Sequence, residues 1–208
     1  PLSYLHVEKP EIDLDPTVDL YDPRVYAQGV ANFRRYIAEG IFIQDPKPCL
    51  YFYRLTWRGR SQLGLVACAA ADDYDQGRIL KHEFTRKDKE EDRTRYTYEL
   101  NANMGPVFFL YREQERVNAL AARATASAPL YDFTSDDGVR NEFWVVDDDD
   151  LIAAIAAEFA KLEKMYVADG HHRTASGANV RQWKMKENPN HTGAEEYNYF
   201  LAVIFPHD

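Results

Sequence analysis

The sequence predicts an α+β fold, a mixed sheet built from hairpins with helices flanking it. Three observations point to it. Two turn signals, Arg58-Gly59-Arg60 and Asp136-Asp137-Gly138, each join two strand-like runs into a hairpin. Helical stretches fall between the hairpins without the regular strand-helix alternation that builds a doubly wound sheet. A third junction, Met165 to Arg181 (MYVADGHHRTASGANVR), reads as a short apolar strand, a tight glycine turn and a helix start.

In chain order, residues 1–22 carry Pro10, Pro16 and several acidic residues with little periodicity, and are expected to form an extended surface arm. Asp22-Pro23 opens a helix that Gly40 closes, with Val25, Val30, Phe33, Tyr36 and Ile37 on its apolar face. In the first hairpin, CLYFYRLTW and SQLGLVACA, a two-residue turn places Trp57 opposite Arg60 and, in the same register, Cys49 opposite Cys68. In a reducing compartment these read as two small buried residues rather than a disulfide. Asp72 to Gly77 is expected to be a polar turn, Ile79-Leu80 a short strand and Asp88 to Leu100 a charged helix.

PVFFLYR reads as a buried strand, and REQERVNALAARATASA as a helix. The acidic run Asp147 to Asp150 opens a helix carrying Leu151, Ile152, Ile155, Phe159 and Leu162, and is expected to be a helix start rather than a metal site. Tyr197 to Phe205 is the strongest late strand, and the chain ends soon after it. One domain over 1–208 is expected, as a fragment of a longer chain.

At 208 residues with 45% apolar residues, the chain can bury a real core. A formal charge of -9 disfavours non-specific binding to nucleic acid or anionic membrane, so an anionic ligand needs local donors. No apolar run approaches the roughly 20 residues needed to cross a bilayer, and the first residues do not resemble a signal peptide, so the chain reads as cytoplasmic. Its 2 cysteines cannot build a disulfide framework or a four-thiolate zinc site.

The six residues Ala168 to Arg173 (ADGHHR) concentrate the chemistry. A strand-turn-helix junction aims unpaired backbone N–H groups and the positive helix end outward. Gly170 permits close backbone approach, Arg173 can clamp phosphate through two bonds, and His171 and His172 add donors. Asp169 can hold Mg²⁺ or fix a histidine tautomer. Two other readings stay open: an exposed polar turn with a capping Asp, or a zinc site that would need a ligand such as His82 from elsewhere.

A second constellation follows the Ile79-Leu80 strand: His82-Glu83, then Asp92-Arg93 on the charged helix. The histidine-glutamate pair can work as acid and base, and Asp92-Arg93 can orient it or reach a phosphate. The position that would complete a zinc-binding His-Glu-x-x-His is Arg86. Asn101, Asn103 and Gly105-Pro106 close the helix and can line a cleft. Taken alone, such pairs are as often solvated surface.

Four ordered motifs, His82 to Thr85 (HEFT), Asp92-Arg93, Asn101 to Phe108 (NANMGPVF) and ADGHHR, resemble the widespread prokaryotic family known as domain of unknown function 1015. That family is similar to the ParB and sulfiredoxin superfamily, whose members set a Gly-x-x-Arg or Gly-x-His-Arg turn around nucleotide phosphates. Gly170, His172 and Arg173 match that turn. Relatives include kinases that phosphorylate free L-serine with ADP or ATP, so the resemblance implies nucleotide binding and phosphoryl transfer to a small hydroxyl compound. Those kinases use an N-terminal glutamate as base, for which this chain has no matching motif. Sulfiredoxin chemistry is disfavoured, because its reactive cysteine falls where this chain has His171. A DNA-partitioning role is disfavoured by the acidic charge.

The resulting expectation is a nucleotide-dependent small-molecule phosphotransferase. Gly170, His171, His172, Arg173 and Asn103 hold ATP or ADP, Asp169 holds Mg²⁺, His82 or Glu83 acts on the acceptor hydroxyl, and Asp92 and Arg93 orient that pair. The alternatives are a nucleotide-binding switch without an acceptor and a metal-dependent hydrolase using His82, Glu83, Asp169, His171 and His172.

Overall fold

A computed structural model describes residues 2–207. Its centre is one eight-stranded mixed sheet. The strands are β1 (Leu50–Trp57), β2 (Arg60–Ala70), β3 (Ile79–Leu80), β4 (Val107–Arg112), β5 (Tyr131–Thr134), β6 (Arg140–Val146), β7 (Met165–Asp169) and β8 (Tyr199–His207). Their order across the sheet is β3-β7-β4-β8-β2-β1-β6-β5. Only β3/β7 and β4/β8 run parallel, and every other neighbour is antiparallel. Among the described residues seven α-helices accompany it: α1 (Leu5–Glu8), α2 (Pro23–Ala38), α3 (Ala71–Asp75), α4 (Lys87–Leu100), α5 (Glu115–Ala124), α6 (Asp149–Phe159) and α7 (His171–Glu187). The mixed α+β class expected from the sequence is the one observed.

The first hairpin has the expected register, with Trp57 opposite Arg60 and Tyr51 opposite Val66. Arg58 and Gly59 both take positive φ, 49° and 80°, so the turn twists with the strands. Strand alternation then sends Leu65, Ala67 and Ala69 toward α5 and α6, where they join Phe52, Trp144, Phe109, Ile155 and Ile204 in two apolar clusters. The same alternation turns Cys68 to the opposite face. The cysteines are therefore not the two buried residues the sequence suggested: Cys68 is exposed, Cys49 half-buried, and both are free.

The N-terminal arm is also not extended. Residues 5–8 and 10–13 each form a helical turn, and Val7 is fully buried against Tyr26, Tyr36, Tyr96 and Leu100. Polar bonds fasten it there: the Tyr96 hydroxyl donates to the Val7 carbonyl, and Asn32 Nδ2 donates to the His6 carbonyl at 2.7 Å. In α2, Asp22 caps the Arg24 N–H as expected, while Ile37 remains half-exposed. Most of the polar turn expected at 72–77 is helix α3, with Asp72 and Asp73 in its first turn, where acidic side chains favour helix, and only Gln76-Gly77 remain a turn. The strand expected from Tyr197 begins at Tyr199 because Glu196–Asn198 form a 3-10 turn. Asp148 caps α6, so the acidic run is a helix start.

Helix α7 is buried through most of its first half, at His171, Thr174, Ala175, Ser176, Gly177, Ala178 and Val180. Small residues let it press on β8. A Cβ at Gly177 would stand 2.8 to 2.9 Å from Phe200 side-chain atoms. Gly177→Ala is therefore expected to destabilise the fold by roughly 1–3 kcal/mol through overpacking. Urea unfolding checks this, and an unchanged midpoint would show that Phe200 has room to give.

Candidate functional site: the start of helix α7

Strand β7 delivers the chain to Gly170, which takes φ 89° and ψ 30°. An L side chain is strained there, and a Cβ would also lie 3.2 Å from Arg173 Nε and Nη2 and 3.3 Å from Val107 Cγ1. The left-handed glycine starts the helix at once, at His171. His171, His172 and Arg173 thus occupy its first turn. The ladder begins with the Thr174 N–H donating to the Gly170 carbonyl at 2.9 Å, and no side chain caps the N–H groups before it. A 17-residue helix therefore begins with backbone donors and its positive end available to an anion.

Two buried side-chain atoms of that first turn, His171 Nε2 and Arg173 Nε, have no hydrogen-bond partner among the described residues. Buried polar atoms without partners are costly; a ligand oxygen would satisfy the Arg173 Nε–H, and His171 Nε2 in the tautomer that carries its proton there. Arg173 Nη2 meets the largely exposed Asp169 carboxylate at 3.3 Å. Arg173 also lines a small cavity of about 40 Å³ with Arg93, Thr97 and Gly177, while Asn103 and Glu8 reach it from separate segments. Arg93 and Arg173, widely separated in sequence, thus face the same space.

The second constellation also arrives at this helix start. The His82 ring lies edge-on to His171, centroids 4.5 Å apart, and His171 Nδ1 is 3.7 Å from a Glu83 carboxylate oxygen. His82 and Glu83 are themselves exposed and 4.0 Å apart. The Arg86 N–H donates to His172 Nε2 at 3.1 Å, so His172 holds the loop by accepting at that nitrogen. Asp92 faces elsewhere: it accepts from the Tyr26 hydroxyl at 2.8 Å and stands 3.9 Å from Arg93. Its contacts are with α2 and its own neighbour.

The sequence reading did not single out Glu8, Glu90 or Asn179. Glu90 accepts from the Thr85 hydroxyl and, at 2.7 Å, from Asn179 Nδ2. These bonds tie the His82–Arg86 loop to α4 and α7, and the Thr85 hydroxyl chiefly holds the Glu90 carboxyl below its usual range despite opposing burial. Only the fold brings Glu8 to the cavity that Arg173 lines, because its place there depends on the docked N-terminal turns. Among the described residues no group of three or more His, Cys, Asp or Glu side chains could hold a metal ion. No helix among them is long and apolar enough to cross a membrane.

The fold and site together define a mixed-sheet α+β protein with an uncapped, arginine-flanked helix start suited to an anion. The chain belongs to the family described as protein of unknown function (DUF1015), whose model matches residues 1–208. No curated protein and no solved structure matches it.

Burial, and next the neighbouring His82, lower the His171 pKa below its ordinary 6.5, with Glu83 and Asp169 opposing. The unfolded chain therefore takes up this proton more readily than the folded one. The His171 contribution costs nothing well above 6.5, destabilises the fold as pH falls through 6.5, and levels off below the lowered folded value. Urea unfolding between pH 8 and 5 is expected to show a steeper loss for the unaltered chain than for His171→Gln. Parallel curves would contradict the shift.

Proposed function

We propose that the chain binds a nucleotide by its phosphates at the start of α7 and transfers a phosphoryl group to a small hydroxyl compound of the free hydroxy amino acid class. The supporting observation is the pair of buried, unpartnered nitrogens, His171 Nε2 and Arg173 Nε, at an uncapped helix start that faces Arg93. The similarity of Gly170, His172 and Arg173 to the phosphate turn of the ParB and sulfiredoxin superfamily, and of the family to free serine kinases, gives the same direction.

Phosphoryl transfer requires positioning and charge neutralisation more than covalent chemistry. Backbone N–H groups after Gly170 and the guanidinium of Arg173 take phosphate oxygens, with Arg93 and Asn103 on the opposite wall. A phosphate competing for Arg173 releases Asp169. That exposed carboxylate at a strand end fits Mg²⁺, which commonly binds through one or two carboxylates plus phosphate oxygens. When bound, the ion neutralises charge on the transferring group. His82 or Glu83 takes the proton of the acceptor hydroxyl as its oxygen bonds to phosphorus and the bond to the nucleotide oxygen breaks. Glu8, on the cavity wall, competes for that role. Asp92 holds Arg93 and Tyr26 rather than the acceptor.

Incubation with ATP or ADP, Mg²⁺ and a panel of hydroxy amino acids is expected to yield a phosphorylated acceptor, whereas free phosphate alone would indicate a hydrolysing switch. Glu83→Gln and Glu8→Gln, compared at saturating nucleotide, identify the base by which one abolishes transfer without loss of binding. Arg173→Ala is expected to weaken nucleotide binding by about 1.5–3 kcal/mol, on the order of 10- to 150-fold, by calorimetry. Unchanged affinity would remove the cradle.

A further inference from the structure

A larger cavity adjoins the phosphate cradle. It measures about 370 Å³, and Thr97, Asn103 and Gly177 line both spaces. Along α7 the lining residues Arg173, Gly177, Val180 and Lys184 recur at helical spacing, and along α4 and its cap so do Arg93, Thr97 and Asn101. Each helix therefore lends one continuous face to both cavities. At 1.5 Å per residue the stretch from Arg173 to Lys184 is about 16 Å long, comparable to a phosphate chain with a nucleoside attached. A free amino acid would leave most of the larger space empty.

The two ends differ in chemistry. The small end carries Arg93 and Arg173 against Glu8. At the far end Val180, Ala102, Tyr197 and Tyr199 supply apolar and aromatic surface, with Asn101 and Glu196 at its polar edge. Lys184 does not make that end an anion site, because its Nζ donates to Asn101 Oδ1 at 2.7 Å and lies 5.0 Å from the centre of the Tyr98 ring. A space that sets tyrosine rings, Val180 and Ala102 beside hydrogen-bonding Thr97, Asn101 and Asn103 suits a neutral heteroaromatic ring and its sugar.

We propose that the groove along α4 and α7 is a nucleoside pocket, with the base and ribose between Asn103 and Lys184 and the phosphates at Arg173. This rests on the nucleotide reading of the helix start and adds where the rest of the ligand lies. It also sets a consequence for Cys68, an exposed residue that lines this pocket, whereas Cys49 does not.

The test uses the unaltered chain. Alkylation by iodoacetamide is followed at each cysteine by peptide mass spectrometry, with ADP, GDP, CDP, UDP or pyrophosphate and Mg²⁺ present, and binding is measured in parallel by calorimetry. A nucleoside diphosphate that binds is expected to slow Cys68 about tenfold at ten times its Kd, leaving Cys49 unaffected. Saturating pyrophosphate should leave Cys68 at its free rate. The proposal is overturned if a bound diphosphate leaves Cys68 unprotected, which spares the phosphate cradle, or if pyrophosphate protects equally. Should none of the diphosphates bind, the nucleotide reading fails and this proposal with it.

Discussion

The left-handed turn at Gly170 is the constraint on which the site depends. It joins an interior strand to a helix in one residue, so the first helical residues stand at the strand end with their N–H groups unsatisfied. It also leaves no Cβ in the space that Arg173 crosses to reach Asp169. A larger residue would strain the backbone and push against the Arg173 guanidinium and Val107 together. On a molecule of formal charge -9, the helix start brings the positive helix end and two arginines to one small cavity, with Glu8 also on its lining.

The rest of the fold holds that turn still. β7 pairs with β3 on one side and β4 on the other, and the small residues after Arg173 let α7 pack closely on β8. The buried Thr174 hydroxyl returns to the Gly170 carbonyl at 3.1 Å, locking the first turn internally. Loop 81–86 is attached through backbone Arg86 to His172 and through Thr85 to Glu90. An otherwise exposed loop, with Phe84 wholly in solvent, thus keeps His82 and Glu83 beside His171.

Much of this was legible in the sequence wherever the determinant was local. The hairpin register followed from one glycine turn, the α2 and α6 starts from capping aspartates, and the strand-turn-helix from ADGHHR. Where tertiary contacts decide, sequence reasoning fell short. The N-terminal arm shows no periodicity because its order comes from one buried side chain, Val7, and from backbone carbonyls bonded by Asn32, Tyr36 and Tyr96 on α2 and α4. Cys68 was judged by composition, whereas the pleat places it on the face away from α5 and α6. Asp92 and Arg93, adjacent in sequence, diverge because neighbouring helix positions face different directions, one toward Tyr26 and the other into the cavity with Arg173. Glu8 had no local signature at all.

The most direct measurement of the central claim is a crystal structure of the chain grown with ADP and Mg²⁺. The account requires the phosphates within hydrogen-bond distance of the first N–H groups of α7 and of Arg173, with Asp169 freed from its ion pair. Nucleotide bound with its phosphates away from α7, or α7 unoccupied at saturating ADP, would contradict it.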